Sequence, residues 1–419
     1  MSNKMNAVKK HLPKLRFPEF QNAPEWDGKT LGDVSTILRG GSPRPIDEYI
    51  TSDVDGLNWL KIGDVSQESK FVTHTKEKVL PAALSKTREV YPGDLILSNS
   101  MSFGRPYILK IKTCIHDGWI AITKIHDLVL SDYLYYMIST PSSQTYFSKN
   151  AAGSGVQNLN ADIIKLLPFS IPSIPEQQKI ADCLTSLDDL IAAQSQKVEA
   201  LQAYKKGLMQ NLFPAEGESA PRLRFPEFQS AGEWEEKTLG ELGDVFMCKR
   251  IFAEETNASD GVPFFKIGTL GGKPDAFISK DLFDEYKSKY NYPRKGEILI
   301  TCSGTVGKCL AYDGSDAYYQ DSNIVWIDNP TLEISNEFLH SILLNVDWGK
   351  LNSTTITRIY MSDLRNLSIV FPVNQKEQQR IAELLSALDE EISAQGESLA
   401  ALKIHKRGVM QGLFPSAGG

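Results

Sequence analysis

No stretch of this chain approaches the roughly 18 consecutive apolar residues of a membrane span. Its start, MSNKMNAVKKHLPK, holds no apolar run of the kind a secretory signal needs. A soluble, cytoplasmic protein is the expectation. Cysteine is scarce: Cys114, Cys183, Cys248, Cys302 and Cys309 are odd in number, form no C-x-x-C pair and have no histidine at ligand spacing beside them. That pattern argues for reduced thiols, against a disulfide framework and against structural zinc. The six histidines (His11, His74, His116, His126, His340, His405) are widely scattered and read as structural. Positive charge is lacking too. The chain carries −7, distributed as +3 over 1–172, −1 over 173–214, −8 over 215–373 and −1 over 374–419. No segment is a basic tail, and a nucleic-acid binder driven by counterion release alone would be more basic. Any such binding has to be local or shared with a partner.

Catalytic machinery is missing as well. No G-x-x-x-x-G-K-S/T occurs, and SGTVGKC (Ser303 to Cys309) has the wrong glycine spacing and no hydroxyl after its lysine. There is no G-x-S-x-G elbow, no H-E-x-x-H and no zinc-deaminase pattern. The N/D-P-P-F/Y tetrapeptide of an amino-methyltransferase is absent, IDNP at Ile327 to Pro330 being a poor match. The chain is expected to catalyse nothing.

What is present is present twice. LRFPEFQNAPEWDGKTLGDV (Leu15 to Val34) returns as LRFPEFQSAGEWEEKTLGEL (Leu223 to Leu242), and EQQKIADCLTSLDDLIAAQ (Glu176 to Gln194) returns as EQQRIAELLSALDEEISAQ (Glu377 to Gln395). A period near 200 is far beyond the roughly 20 to 50 residues of a solenoid repeat. It marks duplication of a globular domain plus a helical arm, in the order domain (1–172), helix (173–214), domain (215–373), helix (374–419). With 419 residues, 41% hydrophobic and 23% charged, each domain can bury a core.

The arms read as heptads. Ile180, Leu184, Leu187, Ile191, Gln194, Val198, Leu201, Lys205, Leu208 and Leu212 step by four and three. Adding 201 gives Ile381, Leu385, Leu388, Ile392, Gln395, Leu399, Leu402, Lys406, Val409 and Leu413, with the same polar interruptions. Pro175 fits a first helical turn, and Pro214 and Pro415 close both helices after an identical Leu-Phe. A helix from Pro175 to Phe213 spans about 58 Å, whereas a domain of about 150 residues is only about 38 Å across. The second helix then begins near where the first ended. An antiparallel coiled coil follows, with approximate two-fold symmetry and Phe414 returned toward Arg16. Gln194 and Gln395, each at a helix midpoint, are expected to face one another as a register-fixing polar layer. Lys205 and Lys406 are expected to snorkel to solvent rather than pair.

Each domain shows short β-rich runs punctuated by Gly, Pro and Ser, then a helix. LNWLKIGDV, GDLILSNSMSFGRPYIL and GWIAIT precede LSDYLYYMIS; VPFFKIGTL, GEILITCSGTVGKCLAY and NIVWID precede SNEFLHSILLNV. This is an α/β (α+β) scaffold, used twice. The loops differ between copies, which suggests two surfaces that read two different things. They are rich in side chains that contact phosphates and base edges: Arg39, Ser42, Arg44, Asn99, Ser100, Arg105, Gln157 and Asn158 in the first copy, and Lys249, Arg250, Ser303, Thr305, Lys308, Thr357, Arg358 and Tyr360 in the second. These are the candidate DNA-binding residues.

The RFPEF…W…KTLGD opening, the GDLIL and GEILI strands with their Ser/Gly-rich loops, GSGVQNLN, and EQQ-K/R-IA leading each long helix together resemble one family over nearly the whole chain, twice. It is the DNA-specificity subunit of type I restriction-modification systems. The resemblance implies two target-recognition domains, each reading one half of a bipartite, asymmetric site in double-stranded DNA, with the paired helices as a ruler. It implies two methyltransferase partners that use S-adenosylmethionine, and in the full complex restriction subunits that use ATP and Mg. It implies no cofactor and no metal on this chain. A stalk of about 58 Å could hold two readers about one DNA turn, near 34 Å, apart. Two other readings stay open from the residues alone: an enzyme whose residues go unrecognised, and an adaptor that binds proteins but not DNA.

Overall fold

The structure is a computed structural model that describes residues 12–99, 103–151, 159–215, 217–349 and 358–415. It divides into two compact units, Met1–Ser195 with Glu397–Gly419, and Gln196–Gly396.

In the first unit, strand Asp27–Thr30 pairs antiparallel with Pro168–Ile171, so the segment that opens the domain lies beside the one that leaves it for the long helix. One five-stranded sheet runs in the order Thr36–Arg39, Trp119–Thr123, Leu95–Ser98, Pro106–Leu109, Phe71–Val72; a second runs Ile50–Thr51, Glu77–Val79, Leu57–Leu60, Thr113–Ile115, Arg88–Val90. Side chains alternate faces along a strand, and here both faces of the first sheet are covered. Ile96, Tyr107, Trp119 and Ala121 pack with Leu60, Val90 and Ile115 of the second sheet. Leu95, Leu97, Ile108, Ile120 and Ile122 pack instead with Tyr133 and Leu134 of helix Ser131–Ser139 and with Ile180 and Leu184 of the long helix. Burial on both faces explains why LILS and WIAI are continuous apolar runs rather than alternating ones.

The second unit repeats this plan. Glu235–Thr238 pairs with Ser368–Phe371. A four-stranded sheet runs Asp244–Met247, Ile324–Asp328, Ile298–Thr301, Cys309–Ala311, and another Thr256–Asn257, Phe277–Ile278, Val262–Phe265, Tyr318–Tyr319. Ile298, Ile300, Val325 and Ile327 face Phe338, Ile381 and Leu385. Leu299, Ile324 and Trp326 face Val262, Phe264 and Tyr318. Helix Lys280–Lys289 packs Phe283 among Tyr292 and Tyr318, at ring separations of 5.7 and 6.5 Å.

Glu297, just before strand Ile298–Thr301, is 4% exposed, and its Oε2 accepts from the Arg294 N–H at 2.7 Å. Burial, and after it the Asp328 carboxylate, push its carboxyl up to about 7. A carboxyl that keeps its proton to higher pH when folded lets stability fall as pH climbs, here from the ordinary value near 4.5 to about 7. Glu297→Gln should therefore raise stability at pH 8 by about 1–3 kcal/mol more than at pH 5. Denaturant unfolding at the two pH values checks this, and an equal effect at both would contradict it.

The long helices are Ile174–Leu212 and Gln375–Leu413, 39 residues each. Within the first unit, Ile180 and Leu184 share a core with Met410, Leu413 and Phe414, and Lys406 pairs with Asp188. Within the second, Ile381 and Leu385 share a core with Met209, Leu212 and Phe213, and Lys205 Nζ lies 2.5 Å from Asp389. In each unit, numbers rising along one helix meet numbers falling along the other, so the segments run antiparallel. Every residue on the heptad steps is buried or half-buried, whereas Leu190 and Ile404, off the steps, are 55% and 69% exposed. Gln194 belongs to the first unit and Gln395 to the second; Gln395 Nε2 donates to Glu391 of its own helix at 2.9 Å.

The two lysines correct the expectation from sequence. Neither Lys205 nor Lys406 snorkels free, their side chains being only 16% and 21% exposed and both paired to an aspartate on the other helix. A half-buried ammonium is costly without a partner, and an antiparallel neighbour supplies one that inspection of either helix alone does not show.

The recurring RFPEF and EQQ motifs meet in space. Arg16 donates from Nε and Nη2 to the Glu176 carboxylate at 2.7 and 2.8 Å, and to the carbonyls of Ala23 and Pro24. Arg224 does the same to Glu377, at 2.7 Å twice, and to the carbonyls of Ala231 and Gly232. Gln177 accepts from Leu130 N and donates to Leu128 O and Pro172 O; Gln378 accepts from Ser335 N and donates to Glu333 O and Pro372 O. Each glutamine thus satisfies backbone that would otherwise be buried without partners. Leu15 N donates to Gly412 O, and Leu223 N to Asn211 O, both at 2.8 Å. The chain's last helix ends beside its first described residues, as its first helix ends beside the second copy of that segment.

Candidate nucleic-acid interface

In the first unit the central strand Trp119–Thr123 is flanked by Thr36–Arg39 on one side and Leu95–Ser98 on the other, with Arg39 opposite Ile120 and Ser98 opposite Trp119. The loops that follow both flanking strands therefore meet the turn that leads into the central one. Asp117, in that turn, is the hub. Ser42 Oγ donates to its Oδ1 at 2.8 Å and Arg44 Nη2 to its Oδ2 at 3.4 Å. Its carbonyl accepts from Arg39 Nε at 3.1 Å and from Asn99 Nδ2 at 2.9 Å. The Ser42 hydroxyl above all holds the Asp117 carboxyl below the usual carboxylate range, so it is ionised at neutral pH. His116 beside it accepts from Gly118 N at 2.8 Å, and burial lowers its pKa, which leaves it neutral and structural. A cleft of about 430 Å³, lined by Ser42, Pro43, Arg44, Ile46, Trp59, Lys61 and His116, adjoins the hub. Arg105 is not gathered there; its guanidinium lies 5.8 Å over the Tyr107 ring.

The second unit builds the same turn from different residues. Arg250 Nε donates to Asp321 Oδ2 at 2.7 Å, Ser303 Oγ to Asn323 Oδ1 at 2.7 Å, and Arg358 Nη2 to Ser322 O at 3.5 Å. Ser303 and Arg358 form a β-bridge, and the Arg358 guanidinium sits 5.8 Å over Tyr360, which is 59% exposed. Lys249 Nζ lies 5.4 Å over Tyr290. Lys308 bonds to the Leu270 carbonyl, and Thr305 is exposed with its carbonyl accepting from Thr301. Counted forward from the paired strands before the turn, Trp59 with Cys114 and Phe264 with Tyr318, Asp117 falls where the second unit has Asp321; counted back from Trp119 and Ile324 it falls at Ser322, so the second turn is one residue longer.

Seven of the sixteen expected contact residues thus converge on two turns: Arg39, Ser42, Arg44 and Asn99 on one, Arg250, Ser303 and Arg358 on the other. Arg105, Lys249, Thr305, Lys308 and Tyr360 have the separate contacts just given. Ser100, Gln157, Asn158 and Thr357 lie outside the described residues. Asp117, Asp321, Ser322 and Asn323 were missed from sequence: a search for cations and amides passes over the two acids, and Ser322 and Asn323 lie in the turn before strand Ile324–Asp328, outside the loops compared. The available signal was an aspartate in both copies, directly before GWIAIT in the first and one residue further from NIVWID in the second. Among the described residues, no three His, Cys, Asp or Glu gather as a metal site, and no helix is long and apolar enough to cross a membrane.

A family model described as the type I restriction modification DNA specificity domain matches residues 24–203 and again 231–403. A type I restriction enzyme specificity subunit of Haemophilus influenzae is 36% identical over 257 residues, 61% of this chain and 64% of that protein. The chain thus spans just under two thirds of that relative's length. The MjaIX specificity subunit of Methanocaldococcus jannaschii is 24% identical over 90% of both chains. The crystal structure of the S subunit of a type I system from M. genitalium shares the fold, with a TM-score of 0.61 at 16% identity over 97% of this chain and all of that one. With both halves of the chain matched, it belongs to the type I restriction-modification DNA-specificity family.

Proposed function

We propose that this chain is the sequence-reading subunit of a type I restriction-modification complex, each unit reading one half of a bipartite, asymmetric site in double-stranded DNA. The antiparallel helices fix the unspecified spacer between the half-sites. The chain catalyses nothing and binds no cofactor. Two methyltransferase subunits bring S-adenosylmethionine, and restriction subunits in the full complex bring ATP- and Mg-dependent cleavage. The setting is the cytoplasm. The observation that carries the reading is the turn at Asp117 and Asp321: one scaffold position that gathers different arginines and hydroxyls in each unit. Arginine, serine and asparagine are side chains that donate to phosphates and base edges. Partner subunits can supply the phosphate neutralisation that a net charge of −7 does not.

Exchange of Leu31 to Pro168 for the matching segment of another family member tests the reading. One half-site should change, with the other half-site and the spacer kept, in the methylation profile of a strain that carries the exchange. A change in both half-sites would refute independent readers. A complex reconstituted with its methyltransferase partners that selects nothing from random duplex DNA would instead mark the chain as a protein-only adaptor.

A further inference from the structure

The contact between Arg250 and Asp321 differs from the other charge contacts at the two turns. It is made by Nε, at 2.7 Å, with the arginine side chain 59% exposed and the aspartate only 16% exposed. A guanidinium is a planar fork of five N–H donors. A carboxylate on Nε occupies the side of that fork and leaves the end, where Nη1 and Nη2 present two parallel donors. Among the described residues neither terminal nitrogen of Arg250 has a hydrogen-bond partner. The bond also removes the swing of a long side chain, so the free end is held in one direction before any ligand arrives. A phosphate contact needs no such bracing, because a phosphate accepts from many approaches. Two parallel donors at a fixed angle fit two acceptors side by side, and on a base pair's major-groove edge that arrangement is O6 and N7 of guanine. In the first unit the equivalent aspartate is shared: Arg39 reaches only its carbonyl, and Arg44 its carboxylate at 3.4 Å. No single braced fork results there.

Resting on the DNA-reading function proposed above, we infer that Arg250, braced by Asp321, reads one guanine in the half-site taken by the second unit. It is a specificity-determining residue, and Asp321 is its positioning residue.

The test uses the full chain reconstituted with its methyltransferase subunits and a library of random duplex DNA, with wild type, Arg250→Ala and Asp321→Asn compared. The half-site of the second unit is the one that exchange of Leu31 to Pro168 leaves unchanged. Arg250→Ala should turn one guanine of that half-site into any base, a loss of preference of about tenfold to hundredfold. The other half-site, kept intact, shows that the complex has assembled. Asp321→Asn should weaken preference at that same position while binding to unrelated DNA is equal or tighter, since a negative charge is removed. A uniform loss of affinity on Arg250→Ala, with every base preference kept, would mean a phosphate contact and overturn the inference. So would relaxation at an A·T position, or an Asp321→Asn complex that still demands the guanine. A wild-type complex that selects no split sequence would overturn the proposed function and the inference with it.

Discussion

Replacing Arg16 with alanine is expected to cost the first unit about 3–5 kcal/mol, the penalty for leaving a buried charge without its partner. Glu176 is 1% exposed and takes both of its short bonds from Arg16, so the substitution strands a carboxylate that water cannot reach. For a unit of this size the loss corresponds to a fall of about 6 to 20 °C in its melting transition. The transition of the second unit, whose own Arg224–Glu377 pair is untouched, should stay in place. Arg16→Met combined with Glu176→Leu should recover most of the loss, because an apolar pair of similar volume avoids desolvating two ions. Calorimetry on the three proteins checks both statements. A double variant as unstable as the single one would show that the loss comes from the Ala23 and Pro24 carbonyls rather than from the stranded charge.

Inserting one heptad into each long helix, between Ser195 and Gln196 and between Gly396 and Glu397, is expected to lengthen the unspecified spacer by about three base pairs. Seven residues add about 10 Å of helix and keep the apolar seam in phase, and DNA rises about 3.4 Å per base pair. Both half-sites should be unchanged, since no residue of either sheet or turn is altered. A long-read methylation profile of the modified strain reads spacer and half-sites together. An unchanged spacer would mean that the helices do not set it.

The helices were legible because their signals are local. Pro175, Pro214 and Pro415 bound them, and the three-and-four steps from Ile180 and Ile381 are the steps that stay out of solvent. The strands were legible where two-sided burial gave an unbroken apolar run, as in residues 95–97 and 298–300. What stayed hidden depends on partners far away in the chain. Glu176 and Gln177 look like ordinary first-turn residues, yet both are buried, one by an arginine 160 positions earlier. Lys406 looks like a solvent lysine until Asp188, 218 positions away, is placed beside it. The candidate site was half legible for the same reason. Residue type pointed to Arg39, Ser42, Asn99 and Arg250, but the aspartates that hold them, by carbonyl or carboxylate, come from the turn before another strand and oppose the charge being sought.

The two units are not equal in how they can be made. The second consists of one unbroken stretch, Gln196–Gly396, and can complete itself as it leaves the ribosome. The first is translated earlier but takes Met410, Leu413 and Phe414 into its core. It must wait, partly bare, until residues 410–414 have been made. A nonsense lesion just before the codon for Met410 would therefore spare the reader encoded second and cripple the one encoded first.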